Sequence, residues 1–194
     1  MPVIQSHGVT LRGENGLVLR PLCDDHLPLL YRWNSDPEVL YWCEGDDVSC
    51  NDAETVHDIY GRTSQTAFCF LIEKDGLPIG ECWLQKQNLP QLIELYPPGK
   101  DLRRIDMAIF EKDHWGRGLG TAAFRMLMDF AFNSQGCEVL HAVPADYNTR
   151  SNRMVQSCGF AEVLRIPTPD SVKAKEDICY ALTREVYRGA SRVA

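Results

Sequence analysis

The sequence predicts a mixed α/β protein of the α+β kind, built as one domain on a single sheet. Three observations lead there. Period-two apolar stretches and helical-period stretches follow one another in the order β-α-α-β-β-β-α-β-α-β-β, which is not the strict alternation of a doubly wound fold. The 194 residues suffice for one sizeable core and fall short of two comfortable ones. Finally, no repeat, low-complexity tract or linker divides the chain, so residues 1–194 read as one domain, with a core over about 17–187 and a short flexible C-terminal tail.

Each element has its own signal. Leu17–Leu22 alternates as a strand does, and Asp24-Asp25 suit the N-terminus of a helix over His26–Asn34, where Leu27, Leu30, Tyr31 and Trp33 recur. An acidic, polar stretch from Glu44 to Asp58 follows, with Asp52–Tyr60 as a short helix. Phe68–Glu73 and Ile79–Gln85 are strands joined by the turn Lys74-Asp75-Gly76. Prolines 90, 97 and 98 with Gly99 make Asn88–Lys100 a loop. Arg103–Phe110 is a strand with Ile105, Met107 and Ile109 on one face. Leu119, Ala122, Ala123, Met126, Leu127, Phe130 and Ala131 trace the clearest amphipathic helix, stopped by Gly136. Val139–Val143 is a short buried strand, Asn148–Cys158 a helix closed by Gly159, and Phe160–Ile166 and Asp177–Glu185 the last two strands.

Charge and composition narrow the function. Twenty basic against 27 acidic side chains leave a net charge of −7, which disfavours nucleic acid and anionic membranes as partners and suits a cationic one. The N-terminus has no basic and apolar signal-peptide pattern, and no apolar run is long enough to span a bilayer. Eight scattered cysteines without a Cys-x-x-Cys pair point to reduced thiols and a cytoplasmic setting. His26, His57, His114 and His141 lack metal-ligand spacing, so no metal is expected.

The segment that carries chemistry is His114-Trp115-Gly116-Arg117-Gly118-Leu119-Gly120-Thr121, between a strand and the amphipathic helix. Glycines at every second position leave successive N–H groups bare, and these donors with the positive end of the helix form an anion site to which Arg117 adds charge. A Walker loop is excluded because no lysine follows Gly120, and a dinucleotide fingerprint because Thr121 replaces its third glycine. A plain structural turn is the remaining alternative.

With Gly118 and Gly120 in its two small positions, this segment resembles the acetyl-CoA loop of the GNAT superfamily, whose usual Arg or Gln is here Trp115. Asn148-Thr149-Arg150-Ser151 followed by Gln156-Ser157-Cys158-Gly159-Phe160 is similar to the family's second signature, about 30 residues further on. Trp33, Tyr41-Trp42-Cys43-Glu44-Gly45-Asp46-Asp47, Pro78-Ile79-Gly80 and Ile105-Asp106 bring the likeness closest to aminoglycoside 6′-N-acetyltransferases, and Rim-type protein N-terminal acetyltransferases come next. The resemblance implies a GNAT fold, a mostly antiparallel sheet of about six or seven strands flanked by helices. It also implies an N-acetyltransferase with acetyl-CoA as cosubstrate and a small-molecule amine as acceptor, and a homodimer is compatible with it.

By that resemblance Met107, Ala108 and Ile109 offer backbone groups to the pantetheine arm, Trp115, Gly116, Arg117, Gly118, Gly120 and Thr121 hold the diphosphate, and Asn148 bonds the arm unless it is only a helix cap. Asp106 is the implied general base. Standing in an apolar strand it needs a cation, which an amine would bring, or else it pairs with Arg103 or Arg104. Glu81, also mid-strand, is the second candidate. Val155 occupies the family's usual tyrosine position and has no proton to give, so Ser151 is the substitute acid. Val143 stands where the aminoglycoside enzymes tend to carry Asp. Trp42, Glu44, Asp46 and Asp47 are the candidate site for a polycation, or a solvated loop. A noncatalytic acyl-CoA-binding module is the reading from another class.

Overall fold

The computed structural model describes residues 2–48 and 50–190. The tail 191–194 lies outside the described residues. Eight strands form one sheet: β1 (Leu11–Arg12), β2 (Leu17–Pro21), β3 (Phe68–Lys74), β4 (Leu77–Lys86), β5 (Leu102–Ile109), β6 (Val139–Ala142), β7 (Ala161–Pro167) and β8 (Glu176–Thr183). Their order is β1-β2-β3-β4-β5-β6-β8-β7. Every pairing is antiparallel except β5–β6. The helices are α1 (Leu27–Trp33), α2 (Pro37–Glu44), α3 (Ala53–Thr63), α4 (Pro90–Ile93), α5 (Leu119–Asp129), α6 (Thr149–Ser157) and α7 (Arg184–Ala190).

Local chemistry explains the elements that the sequence pattern did not expose. β1, the strand beyond the expected six or seven, folds back on β2 through Asn15 and Gly16, which adopt φ 53° and 74°. An Asn-Gly pair is what such a tight hairpin requires. The α2 segment, to which the sequence pattern assigned no element, is helical because Asp36 caps it by accepting from Glu38 N at 3.0 Å, Pro37 fits its first turn, and Val39 and Leu40 are buried. A short α4 interrupts the expected loop 88–100 around buried Leu92. Beyond Thr183 the expected strand turns into α7, with Arg184 N bonded to Glu138 O at 2.9 Å. Nor does the packed core begin at residue 17: Ile4 is buried, and its N–H bonds to Asp24 Oδ1 at 2.8 Å.

Two apolar clusters sandwich the sheet. On one face Phe70, Ile72, Cys82, Leu84 and Ile105 pack against Ala123, Phe124, Leu127 and Met128 of α5, with Met107 and Ile109 at the margin. On the other, Cys69, Leu71 and Phe110 meet Leu30 and Trp33 of α1 and Val56 and Tyr60 of α3. Because side chains alternate along a strand, Asp106 and Ala108 turn away from α5, toward the second face. Among the described residues, no helix is long and apolar enough to cross a membrane.

Candidate active site

The site begins where two strands part. β5 runs from Leu102 to Ile109 but pairs with β6 only over Leu102–Arg104. Leu102 O accepts from Gln87 N and Phe110 N donates to Ile79 O, so even-numbered residues of β5 turn their backbone toward β4. Odd-numbered residues therefore face the gap that β6 has left. Ile109 O is taken by the Trp115 indole N–H at 2.7 Å, which leaves Met107 N–H and C=O and Ile109 N–H facing the opening. The structure thus separates the expected trio: Met107 and Ile109 present backbone to the gap, whereas Ala108 pairs with Glu81 across the ladder. Trp115 is a brace that pins the end of β5 to the loop.

That loop leads to α5 through Gly116 and Gly118, at φ 71° and 76°, with Gly118 as an N-cap that supplies no side-chain bond. Only glycine adopts such angles without strain. The first amides of α5, at Leu119, Gly120 and Thr121, have no intrahelical acceptor, and among the described residues no side chain caps them. A Cβ on Gly120 would meet Ile109 Cγ1 and Met107 Cε at 3.6 Å, ordinary contacts that place this amide edge over the parted strand. Arg117 is exposed within the loop. Bare amides, a helix dipole and a free cation at the mouth of a backbone slot can hold a diphosphate with an extended arm behind it.

On the face away from α5, Trp83 lies opposite Asp106 and Glu81 opposite Ala108. Asp106 accepts from Gln85 Nε2 at 2.6 Å and from Arg104 Nε at 2.9 Å, so it has its own countercharge, as one of the two sequence readings anticipated. Glu81 has none. It is 6% exposed, and its Oε2 makes no hydrogen bond, nor does the buried Nε1 of Trp83. Desolvation, and then the Asp106 charge, push the Glu81 carboxyl well above its usual range; the nearby indole opposes this only in part. Gly80 makes the position possible, since a Cβ there would lie 2.3 Å from Ala108 O.

The C-terminal end of α2 forms one wall. Cys43 and Glu44 touch solvent yet are ringed by protein atoms, as residues lining an open cleft are. Burial pushes the Cys43 thiol up to about 12, and burial with the Asp47 charge raises the Glu44 carboxyl. The rest of the expected acidic cluster is divided. Asp47 is a staple, accepting from Ser171 Oγ at 2.6 Å and Val172 N at 2.5 Å, bonds that hold its carboxyl below the usual range. Asp46 is exposed beside Lys173. Trp42 points its ring at Arg150, whose guanidinium carbon is 4.5 Å from the ring centroid.

Asn148 is the N-cap of α6, its Oδ1 accepting from Ser151 N at 3.1 Å, and its Nδ2 donates to Trp42 O at 2.7 Å. Both ends of its amide are thereby engaged within the chain. Ser151 sits in the first turn of α6. Val155 is buried at 1% in the main core. Tyr147 escaped the sequence reading: its hydroxyl is buried without a partner, close to Cys43 and Glu44, and burial raises its pKa so that it keeps its proton. Nothing in the sequence marks it except adjacency to Asn148. Among the described residues, no group of three or more His, Cys, Asp or Glu is placed to hold a metal.

Comparison with known proteins follows the same lines. The acetyltransferase (GNAT) domain family matches residues 16–161. The aminoglycoside N(6′)-acetyltransferase type 1 of Klebsiella pneumoniae is 21% identical over 182 residues, covering 86% of this chain and 85% of that protein. The kanamycin resistance protein of Rhizobium radiobacter is 30% identical over 69 residues, 36% of this chain and 64% of that one. The crystal structure of aminoglycoside acetyltransferase AAC(6′)-Ib with coenzyme A superposes with a TM-score of 0.75 at 22% identity, over 90% of this chain and 99% of that one. A spermidine N-acetyltransferase from Vibrio cholerae, solved with CoA and spermine, gives 0.72 at 15% identity, over 89% and 98%.

Proposed function

Because this chain belongs to the GNAT family of acetyl-CoA-dependent acetyltransferases, we propose that its acceptor is a primary amine of a cationic, aminoglycoside-like small molecule, acetylated by direct attack on the thioester. The observation that carries the acceptor's chemistry is the pair of carboxyls on the cleft floor: Glu81, buried with its Oε2 unbonded and no countercharge among the described residues, beside the charge of Asp106. Asp106 already has Arg104; a cation is what Glu81 lacks. Two relatives, named for an aminoglycoside and for spermidine, act on polycations, which supports the same class.

In this reading the bare amides of the loop hold the diphosphate, and the backbone of Met107 and Ile109 holds the pantetheine arm. An arriving ammonium favours Glu81 as a carboxylate, whose resting proton passes to solvent, and the carboxylate then takes the ammonium proton; Asp106, neutralised by Arg104, anchors and orients. This exchanges the roles that the sequence suggested for the two acids. The freed amine attacks the carbonyl, a C–N bond forms and the C–S bond breaks; the leaving thiolate takes a proton from Ser151 or Tyr147, and the proton that the new amide nitrogen sheds restores that hydroxyl. Positioning two reactants in one cleft supplies most of the rate.

The test is free-thiol release from acetyl-CoA with kanamycin, spermidine and N-terminal peptides. Release with the polycations is expected. Release with peptides alone would move the assignment to a Rim-type enzyme, and coenzyme binding with no release from any of them would make the chain a noncatalytic module.

A further inference from the structure

Arg150 has no place in the chemistry above, yet its surroundings are unusual. It is exposed in the first turn of α6, and no carboxylate among the described residues pairs with it. Its guanidinium carbon instead lies 4.5 Å from the Trp42 ring centroid and 5.1 Å from that of Trp115. The two indoles come from different parts of the site. Trp115 opens the glycine loop and braces Ile109 at the end of β5. Trp42 stands one residue before Cys43 and Glu44, which line the cleft. The other end of α2 is fastened to the same loop segment, since Lys112 pairs with Asp36 at 3.0 Å and Glu38 at 2.9 Å. α2 is thus strung between the two flanks of the coenzyme slot.

We propose that Arg150 is a positioning residue: clamped between Trp42 and Trp115, it couples the coenzyme loop to the α2 wall of the acceptor cleft, so that filling the first rigidifies the second. The inference rests on the loop being the acetyl-CoA seat. Its physical basis is that a planar guanidinium offers each face to an aromatic ring, which an ammonium does not do equally well. A lysine would therefore keep the charge and lose the clamp. Cys43 provides a reporter, because it reaches solvent beside Trp42 on the wall itself, and labelling at alkaline pH offsets its raised pKa.

The experiment is alkylation of the full chain by iodoacetamide with and without acetyl-CoA and with no acceptor present, read at Cys43 by peptide mass spectrometry, with exposed Cys50 as internal reference. In the wild type, acetyl-CoA should slow labelling of Cys43 relative to Cys50 by about 5- to 30-fold, the factor that two exposed cation–π contacts supply. Arg150→Ala, Arg150→Lys and Trp42→Leu should each bind acetyl-CoA and lose most of that protection. Equal protection in wild type and variants would mean that the coenzyme shields Cys43 directly, and would overturn the clamp, as would absence of protection in a wild type that binds acetyl-CoA. A wild type that does not bind acetyl-CoA at all would overturn the functional reading itself, and the clamp with it.

Discussion

Replacing Glu81 by Gln separates the chemistry of the cleft from the stability of the fold. Glutamine has nearly the same shape and imitates the protonated carboxyl. The sign of the effect follows from linkage. Glu81 has an ordinary value of 4.5 in the unfolded chain and a raised one in the fold, so above about pH 4.5 the unfolded state gives up a proton that the native state keeps. Native stability therefore falls as pH rises, until Glu81 ionises in the fold as well. One proton corresponds to about 1.4 kcal/mol per pH unit, whatever the size of the shift. For a chain of this length about 1 kcal/mol moves the melting temperature by roughly 2–4 °C, so the wild type should lose roughly 3–6 °C per unit relative to Glu81→Gln across that window. Below pH 4.5 the two curves should run parallel. The assay is thermal unfolding of both proteins from pH 4 to 8, alongside thiol release at pH 7.5. Turnover should drop by about 10²–10⁴, the usual worth of a general base. A melting-temperature difference that stays constant from pH 5 to 8 would show that native Glu81 is already ionised, and the assignment of the base would fall with it.

Other perturbations follow from the same geometry. Asp106→Asn removes the charge that helps raise the Glu81 carboxyl, so the acid limb of the rate–pH profile should shift to lower pH while acetyl-CoA affinity holds; an unmoved limb would uncouple the two acids. Gly120→Ala places a methyl in ordinary contact, 3.6 Å from Ile109 Cγ1, so the fold should stand while acetyl-CoA binding weakens about tenfold or more, since each lost hydrogen bond to a charged group is worth about 1.5–3 kcal/mol; unchanged calorimetric affinity would clear this amide of any part in binding. Asn148→Ala deletes the α6 cap and the tether to Trp42 O, and should destabilise by about 0.5–2 kcal/mol in urea unfolding, with restoration in part by Asn148→Asp, which caps but cannot donate the tether.

The legible parts of this protein were those governed by short-range rules. Leu17–Leu19, Phe68–Ile72 and the α5 face from Leu119 to Leu127 declare their structure through apolar spacing, and all of them end in the core. The glycine loop was legible because φ near +70° at residues 116 and 118 restricts residue choice directly. The overlooked pieces had local signals as well. Asn15-Gly16 is a hairpin turn and Asp36-Pro37 a helix start, yet each lies next to stretches whose polarity suggested a loop.

The assignment of the acidic residues was a different matter. In the sequence, Asp46, Asp47, Glu44, Asp106 and Glu81 are all carboxylates in suggestive company. The fold gives Asp47 to Ser171 and Val172, and Asp106 to Arg104 and Gln85, while among the described residues it leaves Glu81 without a countercharge. Arg104 is two residues from Asp106 and was among the partners the sequence offered, but Gln85, Ser171 and Val172 lie 21 to 125 residues from the acids they bond, and no local pattern encodes them.

By itself the sequence determined the order of the main strands and helices, the glycine loop and the chemical class, because backbone conformation and apolar periodicity are properties of neighbours along the chain. Only the tertiary structure decided how far β5 and β6 stay together, which carboxyl is left without a counterion, and that Arg150 lies against two indoles. Those depend on desolvation and on contacts through space, and both come into being only when distant segments are packed against one another.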